Sequence, residues 1–394
     1  MSKIAFFCIP AHGHTNPTLR VVKELVDRGN EVWYYSYDQL KDKIEETGAK
    51  FISCNAYDEE QKLKPEDGAR IAKDIAFATT VLVNTTLALA DKVMEDLKEW
   101  KPDCIVGDSM AVWGKLIAIK MEIPFISSTT TFAFNRYSSK AMNKGGKGLL
   151  SLLFSMPKVG KQIKRLQEKG YPIHSIMDII QNDNETNTIV YTSRGFQPCA
   201  ETFSDKYVFV GPSIREIKEP FEKKKEKLIY ISMGTVNNDM SDFYTICIHA
   251  LKDSGYQVVL SVGELVDLAS FKNLPENIEV YRSVDQIAVL EKADGFLTHC
   301  GMNSASEGLY FEVPVIMNPK TNEQNAVAAR IEELGAGIYL QKEDEDSIKN
   351  AVDQLLLNTT YRENAKKISE SFKRSCGVSG AVEKIERICS GSDK

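Results

Sequence analysis

The sequence predicts an α/β protein built from two doubly wound, mostly parallel sheets. Three observations carry this prediction. Short apolar runs alternate with amphipathic stretches through the first half of the chain. At residues 215–227 a block in which ten of 13 residues are charged interrupts that rhythm, and the rhythm restarts behind it. The length, 394 residues, suits two domains.

The elements follow in order. Residues 4–9 read as a strand that closes on the turn Pro10-Ala-His-Gly13. Leu19, Val22, Leu25 and Val26 then recur at helical spacing, and Gly29-Asn30 ends that helix. Residues 31–37, 51–54, 104–107, 125–128 and 188–193 read as further strands, with helices between most of them. Residues 75–90 form the longest uncharged stretch; it is short of the ~20 residues of a membrane helix and reads as a buried helix. The second half offers strands at 228–233, 258–262, 279–281, 295–298 and 313–318, then a helical tail from 347 to about 388. The expected organisation is a first domain at 1–214, a charged linker at 215–227, a second domain at 228–370, and a C-terminal helix at 371–394 that packs back on the first domain.

Composition narrows the function. With 43% apolar and 26% charged residues the chain has material for two cores. Its net charge of −6 provides no global basic field for nucleic acid or an anionic membrane. The eight cysteines include no C-x-x-C pair and fall mostly in apolar runs, which is how reduced, buried thiols look and points to a cytoplasmic setting. The five histidines show no H-E-x-x-H spacing, so no metal site is expected. Six apolar residues at the N-terminus are too few for a signal-peptide core.

Doubly wound domains bind ligands beyond the carboxyl ends of their strands. No G-x-G-x-x-G follows the first strand and no P-loop occurs, which removes the usual support for nicotinamide or P-loop chemistry. Strand 295–298 instead leads into His299-Cys-Gly-Met-Asn-Ser304 and a helix. Gly301 permits a tight turn, and the exposed N–H groups of the helix start suit a diphosphate. Ser304 adds a hydroxyl, His299 a ring donor, and Glu307, one turn on, an acceptor for a ribose. The alternative is an ordinary strand-to-helix turn capped by Ser304. His12 and His14 lie just past the first strand, where a histidine can serve as a general base or simply bond a loop carbonyl. Asp108 ends another strand of that sheet; it either orients such a histidine or caps the next helix.

Pro10-Ala-His-Gly-His-Thr-Asn-Pro17 and Thr298-His-Cys-Gly-Met-Asn-Ser-Ala-Ser-Glu307, with Gly107-Asp-Ser109, Ser232-Met-Gly-Thr235, Asp285-Gln286 and Pro319-Lys-Thr-Asn-Glu-Gln324, resemble the UDP-sugar-dependent glycosyltransferases of the GT-B fold, in the bacterial branch that glycosylates macrolides and other natural products. The resemblance covers nearly the whole chain. It implies two Rossmann-like domains facing across a cleft, with a C-terminal helix crossing back. It implies an inverting, metal-independent transfer of a hexosyl group from a UDP-sugar, UDP-glucose first, to a hydroxyl of a lipophilic acceptor such as a macrolide, flavonoid or phenol. His12 would be the base and Asp108 its partner. Gln286 would contact the nucleotide base; Thr235, His299, Gly301, Asn303 and Ser304 the diphosphate; Glu307 the ribose; Glu323 and Gln324 the sugar. Two positions depart from the family's pattern and bear on base and sugar selection: Ser283 stands where an aromatic residue usually does, and Glu323 where aspartate is common.

Acceptor walls are expected at 75–89, 129–137 and 149–154, with Phe77, Phe132, Phe134 and Phe154 as greasy contacts; each could instead be a core aromatic. No cofactor beyond the sugar nucleotide, no nucleic acid, no stable membrane insertion, and a monomer or weak dimer complete the expectation. Two rival functions share the fold: a nucleotide-sugar epimerase or hydrolase, and a lipid-carrier transferase docked through the lysine-rich stretch 144–169.

Overall fold

The computed structural model describes residues 1–55, 67, 70, 71, 74–142, 149–180, 184–234 and 240–392. The chain divides into two units: Met1–Ser213 with Ser375–Lys394, and Ile214–Arg374.

The first unit contains β1 (Lys3–Phe7), α1 (His12–Asp27), β2 (Glu31–Ser36), α2 (Lys41–Glu45), β3 (Lys50–Ser53), α3 (Ile75–Trp100), β4 (Cys104–Asp108), α4 (Val112–Met121), β5 (Phe125–Thr129), α5 (Arg136–Met142), α6 (Leu149–Glu168), α7 (Ile176–Ile180), β6 (Asn187–Val190) and β7 (Tyr207–Phe209). Its seven strands are ordered β3-β2-β1-β4-β5-β6-β7 and pair in parallel throughout. Neighbouring residues of β1 feed opposite faces, as the pleat requires. Ala5 and Phe7 pack with α3 and α4, through residues such as Val93, Trp113 and Leu116. Ile4 and Phe6 pack with Val21, Val22 and Leu25 of α1 and with Ala381, Val382 and Ile385. Those last three belong to the C-terminal helix, which therefore completes the core of the first unit.

The second unit contains β8 (Leu228–Ser232), α8 (Ser241–Leu251), β9 (Gln257–Ser261), β10 (Ile278–Tyr281), α9 (Gln286–Lys292), β11 (Gly295–Thr298), α10 (Met302–Tyr310), β12 (Val315–Met317), α11 (Asn322–Glu333), β13 (Gly337–Tyr339), α12 (Glu345–Leu357) and α13 (Thr359–Lys373); α14 (Gly377–Cys389) then returns to the first. The six strands run β10-β9-β8-β11-β12-β13, again all parallel. Each sheet thus reverses its strand order once, between β1 and β4 and between β8 and β11, and the ends of those strands are where a doubly wound sheet offers a binding crevice.

Three local differences from the sequence reading have physical causes. α1 opens at His12, inside the expected turn, because the Ala11 carbonyl already accepts the N–H groups of His14 and Thr15; Pro17, the sixth residue, forgoes the bond to Gly13. α3 runs on to Trp100, since Val93, Met94 and Leu97 continue its buried face past the first charged residues. The charged segment 215–227, expected as a linker, is part of the second unit. Arg215 is tied to Asp285, Lys223 and Lys227 to Asp294, and Lys224 to Glu279.

Candidate active site

In the first unit, β1, β4 and β5 are neighbours, so whatever follows their carboxyl ends comes together. His14 lies in the first turn of α1, Asp108 is the last residue of β4, and Thr130 directly follows β5. Nδ1 of His14 is 2.8 Å from Oδ2 of Asp108 and 3.1 Å from Oγ1 of Thr130. A carboxylate only accepts, so Nδ1 carries the ring hydrogen and Nε2 the lone pair. Asp108 is buried at 3% exposure, and its Oδ1 accepts the Met110 N–H at 2.8 Å. The carboxylate is therefore held at both oxygens.

This corrects one expectation: Asp108 pairs with His14, and His12 is exposed. The reason is helical. At 3.6 residues per turn, positions two apart point to nearly opposite sides, and only one of the two histidines can face the sheet. The buried side of α1 runs through Leu25, Val21 or Val22, Thr18, and Thr15. Counting back four from Thr18 reaches His14, so the helical period held the signal. Partial desolvation and nearby Lys43 lower the pKa of His12.

The second unit builds a different arrangement after β8, β10 and β11. The His299 ring lies between two glycine backbones. A Cβ on Gly301 would sit 2.6 Å from its Nε2, and one on Gly234, at φ +84°, 2.5 Å from its Cε1. Burial lowers the His299 pKa to about 4, partly opposed by a hydrogen bond to the Ser232 backbone, so the ring is a neutral dipole at physiological pH. Gly301 is the N-cap of α10, whose first turn carries Asn303 and Ser304.

Next to it, Gln286 opens α9. Its Oε1 accepts from the Tyr230 hydroxyl at 3.2 Å, and its Nε2 donates to Glu307 at 2.5 Å and to Ser304 Oγ at 3.4 Å. Three residues expected at the donor are thus joined in one hydrogen-bonded group. Burial raises the Glu307 pKa, and Gln286 and Arg215 oppose the rise. Arg215, which the motif reading missed, grips Asp285 with both Nη atoms, at 2.9 and 2.5 Å. Its signal was the charge block itself, in which a single arginine begins the run.

Glu323 is exposed in the first turn of α11. Gln324 forms a capping box with Thr321: its Oε1 accepts the backbone N–H groups of Lys320 and Thr321, while Thr321 Oγ1 accepts the Gln324 N–H. Thr235 and the side chain of Phe154 lie outside the described residues. Of the other aromatics, Phe132 is 1% exposed and packs on Phe196 with ring centroids 5.5 Å apart, so it belongs to the core and is not an acceptor wall. Phe77 is half-buried beneath Arg70, and Phe134 is 46% exposed. Among the described residues no group of three His, Cys, Asp or Glu could hold a metal ion, and no helix is long and apolar enough to cross a membrane.

Two doubly wound units, one with a carboxylate-held histidine and one with a strand-to-helix turn built around His299, have the architecture of a glycosyltransferase of the GT-B fold. Residues 248–384 match the family described as erythromycin biosynthesis protein CIII-like, C-terminal domain. The chain is 33% identical to the uncharacterized UDP-glucosyltransferase YojK of Bacillus subtilis over 98% of its own length and 97% of that protein. It is also 33% identical to the NDP-glycosyltransferase YjiC of Bacillus licheniformis, over 97% and 96%. The demethyllactenocin mycarosyltransferase of Streptomyces fradiae is 26% identical over 99% and 87%. In fold, the chain matches the kitacinnamycin glycosyltransferase with a TM-score of 0.84 at 24% identity, covering 98% of both chains. It matches VinC, solved with dTDP, with a TM-score of 0.71 at 15% identity, covering 98% and 99%. The chain belongs to the macrolide-type family of bacterial glycosyltransferases and transfers a sugar from a nucleotide-sugar donor.

Proposed function

We propose that the protein is an inverting, metal-independent cytoplasmic enzyme that moves a hexosyl group from a UDP-sugar, UDP-glucose first, to a hydroxyl of a lipophilic small molecule such as a macrolide, flavonoid or phenol, with His14 as the general base. The observation that carries the reading is the 2.8 Å bond between Nδ1 of His14 and Asp108. It fixes the tautomer that leaves the basic lone pair on Nε2 and stabilises the imidazolium once the acceptor proton is taken. Thr130, a second acceptor on the same nitrogen, helps hold the ring plane. As the acceptor oxygen attacks the anomeric carbon, the bond to the diphosphate breaks on the opposite face, which inverts the configuration.

Negative charge grows on the leaving diphosphate. In this reading fixed donors meet it: the N-terminus of α10, Ser304 and the neutral N–H dipole of His299. The group Gln286–Glu307–Ser304 would hold the nucleoside, with Glu307 accepting from ribose hydroxyls. The names of two relatives, an uncharacterized UDP-glucosyltransferase and an NDP-glycosyltransferase, support a UDP donor. The deciding experiment is a mass-spectrometric screen of UDP- and dTDP-sugars against phenols, flavonoids and macrolides. UDP-glucose is expected to give glycosylated phenols and His14→Ala to abolish them; a donor consumed without a glycosylated acceptor would replace transfer by hydrolysis or epimerisation.

A further inference from the structure

We propose that Cys104 and Cys389 form a redox-active dithiol that closes to a disulfide and staples the C-terminal helix to the sheet of the first unit. Cys104 is the first residue of β4 and Cys389 the last of α14, 285 positions further on. Their sulfur atoms are 2.9 Å apart. A disulfide bond is about 2.05 Å long, so closing the pair needs a movement of roughly 0.9 Å. Both residues are free thiols, Cys104 fully buried and Cys389 partly exposed.

That asymmetry sets the order of events. The contact with Cys389 and burial hold the Cys104 thiol well above its ordinary pKa, so reaction begins at the more exposed sulfur. With a low-molecular-weight disulfide such as glutathione disulfide as oxidant, the Cys389 thiolate attacks one sulfur and expels one glutathione thiol. The Cys104 sulfur then attacks Sγ of Cys389, gives up its proton, and expels the second. The protein loses two electrons and two protons, and the glutathione disulfide gains both. The product joins the start of the strand that ends in Asp108 to the end of the helix that carries Ala381, Val382, Ile385 and Ile388 into the core.

The test uses the full-length enzyme incubated with glutathione disulfide or with dithiothreitol. Thiols counted after denaturation are expected to fall from eight to six on oxidation. Non-reducing peptide mapping should return one cross-linked pair, Cys104–Cys389, and the melting temperature should rise by several degrees and return on reduction. Cys389→Ser should show neither the cross-link nor the rise. A count that stays at eight, glutathione left only on the exposed Cys376, or a cross-link between other cysteines would overturn the proposal. The mapping of the unmutated protein decides the matter even if the variant fails to fold.

Discussion

His14 and His299 each lie just past a strand beside the reversal point of a sheet, His14 after β1 and His299 after β11. One has a buried carboxylate on its ring nitrogen; the other is pressed between two glycine backbones and bonded to a main-chain group. The same residue type in a similar place is thereby set up to take a proton in one unit and to remain a neutral donor in the other. The partner on the ring decides the role, and the backbone around it decides the partner.

Removing the first histidine should have the largest effect. His14→Ala is expected to lower kcat by about 10²–10⁴, or roughly 3–5 kcal/mol of barrier, with UDP affinity and melting temperature nearly unchanged. His12→Ala should fall far short of that, because its ring faces solvent. Steady-state rates on phenols of graded acidity check both, since acidic phenols need the base least. Near-normal turnover of weakly acidic alcohols by His14→Ala would return the role to His12. Asp108→Asn should cost as much as His14→Ala or less, and the double variant little more, because the two act as a unit.

The second histidine should be visible in stability. Its folded pKa, about 4, lies below the ordinary 6.5, so the unfolded chain binds its proton first as pH falls. Stability from this group is complete above pH 6.5 and is lost between 6.5 and 4, by up to about 3 kcal/mol. Urea midpoints measured at pH 7 and 4.5 should therefore fall further for the unmutated protein than for His299→Gln. Equal falls would mean that the ring titrates normally.

Two smaller effects sharpen the contrast. Thr130→Val should slow turnover several-fold, Thr130→Ser should restore it, and Thr130→Val should add nothing in a His14→Ala background. An undiminished rate for Thr130→Val would leave Asp108 as the sole orienting group. Glu323→Asp should reorder donor sugars while calorimetric UDP affinity, measured with EDTA present, stays close to the unmutated value. Collapse of that affinity would move residue 323 to the nucleotide.

Much of this was legible in the sequence. Both parallel sheets followed from the strand–helix rhythm, and the block 298–307 marked the strand-to-helix turn between β11 and α10. Strand β13, Gly337–Tyr339, was not foreseen, because it opens on a glycine two residues after Gly335 and reads as a turn, whereas the equally short β12 sits in a longer apolar run. The choice between His12 and His14 turned on where α1 begins, and Pro17 concealed that start. Phe132 read as an acceptor wall because burial against Phe196 is a long-range fact that local pattern does not encode. Gln324 illustrates the same limit: its carbonyl oxygen holds the start of α11, a role that the Thr321 spacing allowed but that the motif obscured.

The two units also differ in how they can be made. The second is one contiguous stretch, Ile214–Arg374, and has all its parts once that stretch has left the ribosome. The first is synthesised almost whole, yet its core waits for Ala381, Val382, Ile385 and Ile388. During translation the N-terminal sheet must therefore keep an apolar face uncovered while about 160 further residues are added, and it closes only when residues 381–388 have followed. A released chain that ends at Arg374 should hold a protease-resistant second unit and a still-sensitive first one.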